Sequence, residues 1–288
     1  MKLYKTSKGI ILQFKEEYFI FQGDWDHVIN TEVLHADLAE NAKHADKLSD
    51  QQFNTLLEEA LLPPIGSQEV WAAGVTYMRS RDARMEEAKA GGGGDFYDKV
   101  YEAPRPELFF KALPHRVAGH QQSVYIREDS TWNVPEPELT LFINAAGKIT
   151  GYTIGNDMSS RSIEGENPLY LPQAKVYERS AALGPCLYVP ENPIPSDTAI
   201  SMTIYRKDKI CFKDSIKIDR MKRSLEELAG YLYRACDFPN GSFLMTGTCL
   251  VPENDFTLKE NDVVEISIEH IGTLRNAVEV YKKDKRRM

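Results

Sequence analysis

The chain has 288 residues, enough to bury one large core or a core with a small appended domain. Its 35 lysines and arginines against 43 aspartates and glutamates give a formal charge of −8. That balance excludes the strongly basic face that nucleic acid or an anionic membrane would require. The opening Met1-Lys2-Leu3-Tyr4-Lys5-Thr6 lacks a signal-peptide apolar core, and no run is long enough to span a bilayer, so a cytoplasmic location is expected. Cys186, Cys211, Cys236 and Cys249 show no Cys-x-x-Cys spacing, which argues for reduced thiols and against a zinc site.

Residues 1–65 read as a small accessory domain and 66–288 as the main one. In the first, Ile10–Phe14 and Tyr18–Phe21 are short strand candidates, followed by a polar helix-favouring stretch from Thr31 to Leu62 that Pro63-Pro64-Ile65-Gly66 closes. Val70–Val75 is the apolar first strand of the main domain, and Tyr77–Ala90 has helical composition. Gly91–Gly94 must interrupt any helix, because each glycine loses much backbone entropy on ordering. Two readings of that segment stand: a lid hinged at the glycines, or a surface loop. Further along, Leu187–Val189, Ile200–Tyr205, Ile210–Phe212, Phe243–Met245, Val263–Ile268 and Ile271–Leu274 read as strands, whereas Ser159–Pro172 reads as loop. Ser224-Leu225-Glu226-Glu227 has the capping-box pattern of a helix start, and Leu225, Leu228, Ala229 and Leu232 keep one apolar face.

Chemistry concentrates in one hairpin. Pro135-Glu136-Pro137-Glu138 leads into Leu139–Ile143, Asn144–Lys148 supplies a turn, and Ile149–Ile154 returns antiparallel. Side chains alternate along a strand, so Glu136 and Glu138 share a face, and the return brings Asp157 beside them. Three converging carboxylates repel, and without a cation at least one must take up a proton. Hard oxygen donors without histidine or cysteine suit Mg²⁺, with Mn²⁺ or Ca²⁺ as alternatives. The competing reading is two exposed glutamates on an edge strand whose prolines block pairing. Lys175 follows soon after; beside three carboxylates and a divalent ion it would bring the site to neutrality. Whether that pairing or burial governs its protonation is left open by the sequence. Glu107, before the apolar Leu108-Phe109-Phe110, is a general acid if desolvation raises its pKa and a surface group otherwise. Lys111 reads as a structural or electrostatic neighbour.

Taken together, Pro135–Leu139, Gly151-Tyr152-Thr153-Ile154-Gly155-Asn156-Asp157-Met158-Ser159-Ser160-Arg161, Lys175, Leu183-Gly184-Pro185 and Thr246-Gly247-Thr248 resemble the fumarylacetoacetate hydrolase superfamily. Gly74-Val75-Thr76-Tyr77, Arg105–Lys111 and Glu166–Gln173 look like its 2-keto-3-deoxy-sugar-acid dehydratase branch. The resemblance implies an α+β, strand-rich fold: a C-terminal domain of mixed strands rolled into a barrel-like sandwich, with a small N-terminal domain. It also implies a homodimer or homotetramer acting on a small-molecule 2-keto acid. Hydrolase members typically carry a histidine three residues after the tyrosine that Tyr77 matches, as base toward water, yet this chain has Ser80 there. A serine hydroxyl has little basicity near neutral pH, which speaks against hydrolysis. The resemblance therefore implies metal-dependent dehydration, with Glu136, Glu138 and Asp157 on the metal, Lys175 as base, Glu107 as acid and Ser80 as helper. Thr248 and Tyr77 would bind substrate. An acylpyruvate-type C–C hydrolase or an oxaloacetate-type decarboxylase on the same scaffold is the alternative, and a non-catalytic keto-acid-binding protein a more distant one.

Overall fold

Most of the alternating apolar stretches join one sheet. In the computed structural model, which describes residues 1–77 and 99–282, the order across this sheet starts with Asp46–Leu48, Glu17–Phe21, Gly9–Phe14 and Lys2–Thr6. It continues through Ala181–Tyr188, Ile149–Asp157, Pro137–Ile143, Ser242–Met245, Glu69–Gly74 and Glu107–Ala112. Lys2–Thr6 pairs with Ala181–Tyr188, so the strands of residues 1–65 extend the sheet that carries the hairpin. The polar stretch after them is broken into helices Leu34–Asn41 and Asp50–Ala60 around the short strand Asp46–Leu48. A second sheet runs Lys209–Lys217, Ala199–Arg206, Val263–Ile268, Gly272–Tyr281 and Val124–Arg127. Ser224 caps the helix Leu225–Leu232 by accepting from Glu227 N. No helix among the described residues is long and apolar enough to cross a membrane.

The large sheet curls. The chain leaving Glu107–Ala112 soon forms Val117–Ala118, which pairs in parallel with Ala181 and Ala182 on the far side of the hairpin. The result is an open roll; the sheets do not close into a barrel. Period-two alternation then sorts side chains to its two faces. Val70, Ala72, Phe142, Leu183, Phe243 and Met245 share one core cluster, the lining of the roll. Leu139, Leu141 and Ile154, on the other face, pack with Met202, Ile204, Val264 and Ile266 of the five-stranded sheet. Each large apolar side chain buried in this way contributes about 1.5–3 kcal/mol, which offsets the cost of the buried charged cluster.

The stretch read as a loop after the hairpin is instead ordered. It holds the helix Arg161–Glu166, a 3₁₀ turn Pro168–Tyr170 and the helix Leu171–Lys175. Pro168 and Pro172 each sit near the start of a helical turn, where the missing N–H costs nothing. Ser80 and Gly91–Gly94 lie outside the described residues, as do both readings of their segment.

Candidate active site and metal centre

The hairpin brings its carboxylates together. Glu138 pairs with Gly155 and Pro137 with Asn156, while Asp157 N donates to Glu136 O at 2.9 Å. Carboxylate oxygens of Glu136, Glu138 and Asp157 all lie within 4.8 Å of one another, and all three residues are buried. The reading of two exposed glutamates on an edge strand is thereby excluded, since Pro137–Ile143 is paired on both sides. Glu138 is pushed well above the usual carboxylate range, first by burial and then by the charges of Asp157 and Glu136. Gly247 N donates to Glu138 Oε2 at 2.5 Å, which opposes that shift. Three buried, mutually repelling oxygen donors of this kind fit a hard divalent cation.

Among the described residues, three cationic side chains meet this cluster. Lys175 Nζ lies 2.6 Å from Glu136 Oε2, 3.3 Å from Asp157 Oδ2 and 5.8 Å from the Phe109 ring centroid. Arg161 Nη2 donates to Glu136 Oε1 at 2.6 Å, and its Nε is 3.9 Å from Glu164 Oε2, which also accepts from Ser159 Oγ at 3.2 Å. Lys111 Nζ reaches Asp157 Oδ1 at 2.6 Å, Met158 O at 3.0 Å and Lys175 O. The two carbonyls accept hydrogen bonds from the ammonium, and Asp157 Oδ1 pairs with it as an ion. Burial still lowers the Lys111 pKa, with Asp157 pulling the other way. Lys111 thus ties a carboxylate of the cluster to the backbone that carries Lys175. Removing it leaves a buried carboxylate short of its partner, so Lys111→Met is expected to destabilise chelator-treated protein by about 3–5 kcal/mol. Urea unfolding checks this: the midpoint should fall at unchanged slope.

Glu107, Phe109 and Lys111 leave one strand on the same face. Since Phe109 underlies Lys175 and Lys111 holds Asp157, that face is turned to the carboxylates. Glu107 Oε2 is shielded from solvent. Beyond the ends of the neighbouring strands, Thr76 Oγ1 donates to Thr246 O at 2.8 Å, and Thr246 Oγ1 to Leu139 O at 2.8 Å. Gly247 has a φ of +91° and a Cβ there would stand 2.1 Å from Thr76 Oγ1, so only glycine presents its N–H to Glu138 in this way. Thr248 Oγ1 accepts from Leu250 N at 3.2 Å, and a hydroxyl that accepts retains its own hydrogen to donate. Tyr77 is buried and its phenol pKa is raised by burial, then by Cys249 and Glu138.

The structure therefore brings Glu136, Glu138, Asp157 and Lys175 into contact, and sets Glu107 on the strand face that serves them. Thr248 and Tyr77 lie just beyond the ends of the paired strands Ser242–Met245 and Glu69–Gly74. Arg161 and Glu164 were not singled out as site residues from the sequence, although Arg161 ends the motif that begins at Gly151. The stretch beyond Asp157 reads as loop, so nothing indicated which way Arg161 would face.

The chain belongs to the fumarylacetoacetate hydrolase family: residues 70–279 match the family described as Fumarylacetoacetate (FAA) hydrolase C-terminal. It is 46% identical over 246 residues to the "Probable 2-keto-3-deoxyxylonate dehydratase" of Haloferax volcanii, covering 85% of this chain and 81% of that protein. It is 41% identical over 258 residues to the 2-dehydro-3-deoxy-D-arabinonate dehydratase of Saccharolobus solfataricus, covering 88% of this chain and 85% of the relative. A solved structure of 2-keto-3-deoxy-D-arabinonate dehydratase complexed with magnesium and 2,5-dioxopentanoate superimposes with a TM-score of 0.84 at 35% identity, over 98% of this chain and 100% of the other.

Proposed function

We propose that this chain is a metal-dependent dehydratase of 2-keto-3-deoxy sugar acids, such as 2-keto-3-deoxy-arabinonate, which it would convert to 2-oxoglutarate semialdehyde. The observation that carries this reading is the strand face on which Glu107 is followed by Phe109 under Lys175 and Lys111 on Asp157. A carboxyl and an amine around one carboxylate cluster are the pair of groups that elimination needs, which supports this reading. The two relatives above 40% identity are both named as dehydratases of such acids, which supports the same conclusion.

Glu136, Glu138 and Asp157 would hold Mg²⁺, and Mn²⁺ or Ca²⁺ are compatible with the same oxygen donors. A divalent ion there would act as a Lewis acid on the C2 ketone, making the C3 protons easier to remove. Lys175, as the neutral amine, takes a C3 proton, and Ser80 assists by hydrogen bonding. Glu107 gives its proton to the C4 hydroxyl as the C4–O bond breaks, and one water leaves. Shift of the remaining double bond toward C5 and ketonisation of the resulting enol produce the terminal aldehyde. Thr248 donates its free hydroxyl hydrogen to the substrate carboxylate, and the Tyr77 phenol, kept protonated by burial, acts as a second donor.

The same reading makes the enzyme a cytoplasmic homodimer or homotetramer. Its four cysteines form no disulfide, as a reducing compartment keeps them. Purified protein with Mg²⁺ and a 2-keto-3-deoxy pentonate should form an aldehyde-bearing keto acid, followed through a coupled semialdehyde dehydrogenase. Rapid cleavage of acylpyruvates with no turnover of the deoxy keto acid would replace this function with the hydrolase.

A further inference from the structure

We propose that Gly74 is a positioning residue for the leaving-group acid: its missing side chain provides the seat on which the Glu107 carboxyl lies. This rests on the assignment of Glu107 as that acid. Gly74 and Glu107 are directly opposed on antiparallel strands, so whatever projects from one faces the other. A Cβ built on Gly74 would stand 1.8 Å from Glu107 Oε2, 2.7 Å from its Cδ and 3.3 Å from its Cγ. The Glu107 side chain is therefore folded back over the Gly74 Cα instead of extending past it. Backbone conformation does not require glycine here, because Gly74 ends a regular strand and is not among the residues with positive φ. Space does. The preceding residues of the strand that face Phe109 and Leu108 are Ala72 and Ala73, which keep their Cβ atoms.

What a methyl at position 74 would meet decides the consequence. The nearest atoms belong to the far end of a flexible side chain, so the fold can absorb a methyl by swinging the carboxyl aside. Reaching ordinary contact means moving Oε2 by more than an ångström, and a 1 Å misplacement of a reacting group can cost about 100-fold in rate. A merely structural glycine would lower stability; a positioning glycine lowers turnover.

The test is Gly74→Ala on the full chain with Mg²⁺ and a 2-keto-3-deoxy pentonate. We expect kcat to fall about 100-fold while KM, Mg²⁺ affinity and melting temperature hold, and a crystal structure to show the Glu107 carboxyl displaced. In the Glu107→Gln background, Gly74→Ala should reduce kcat no further, because the two changes disable one group. Full activity in Gly74→Ala beside an impaired Glu107→Gln overturns the positioning role and leaves the acid assignment standing. Equal losses in both backgrounds overturn it too, since Gly74 would then act through something else. Full activity in Glu107→Gln sinks the acid assignment, and the positioning role falls with it. Should Gly74→Ala fail to fold while Gly74→Ala combined with Glu107→Ala folds normally, the contact is structural and the proposal is overturned; failure of both variants to fold overturns it as well.

Discussion

Asp157→Asn is expected to weaken Mg²⁺ binding by more than about 100-fold, the upper range seen when only an outer partner of a metal ligand is lost. Asparagine keeps the shape and one oxygen but removes the charge, in a site where burial makes each charge count for more than in water. Asp157 is the one carboxylate of the three that both lysines touch, Lys111 at 2.6 Å and Lys175 at 3.3 Å. Its loss therefore also leaves Lys111 and Lys175 facing each other with less negative charge between them. Both effects oppose a cation. Isothermal titration of chelator-treated wild-type and variant protein reads the change directly. Unaltered binding in Asp157→Asn would take this residue out of the metal site, whatever the activity.

The part of this site that lies within one hairpin was legible in the sequence. Glu136, Glu138 and Asp157 are brought together by period-two alternation and a short turn, and both features show in the residues themselves. Lys175 was read as a partner of the carboxylates and Lys111 as a structural or electrostatic neighbour, but the path by which Lys111 reaches the site was not legible, for a physical reason. In the sheet order, Glu107–Ala112 is four strands away from Ile149–Asp157, roughly 19 Å on a flat sheet at about 4.8 Å per strand. Lys111 nevertheless reaches Asp157 at 2.6 Å, because the sheet curls until its edge faces the hairpin. Curvature of that kind follows from long-range pairing, here of Val117–Ala118 with Ala181–Ala182, and leaves no local pattern. Arg161 was missed for a different reason. Its helix is only six residues long and is held by tertiary contacts, the regime in which propensity decides least. Two accessory strands, Gly9–Phe14 and Glu17–Phe21, were legible as strands, but not Lys2–Thr6, which joins them to the main sheet by lying beside Ala181–Tyr188.

Glu107→Gln is expected to lower dehydration by about 100- to 10,000-fold, the usual worth of a general acid or base, while Mg²⁺ affinity stays unchanged. Glutamine fills the same space over Gly74 and keeps a hydrogen-bonding end, so position and packing are preserved while the transferable proton is lost. Metal binding should survive because Glu107 lies outside the carboxylate triad, on the strand whose Lys111 pairs with Asp157. The variant thus isolates proton delivery from metal binding, the reverse of Asp157→Asn. It also separates elimination from hydrolysis. On the proposed reading, loss of a β-hydroxyl uses Glu107 as acid and Lys175 as amine, whereas a hydrolase needs a base to activate water, a role for which a serine hydroxyl such as that of Ser80 has little basicity. Wild-type protein should accordingly leave acylpyruvates nearly untouched, and Glu107→Gln should not improve that. If Glu107→Gln dehydrates at the wild-type rate, the dehydratase stands but its proton comes from elsewhere. Lys175 is then the next residue to replace, since it would hold a proton after deprotonating C3 and lies within 3.3 Å of both Glu136 and Asp157.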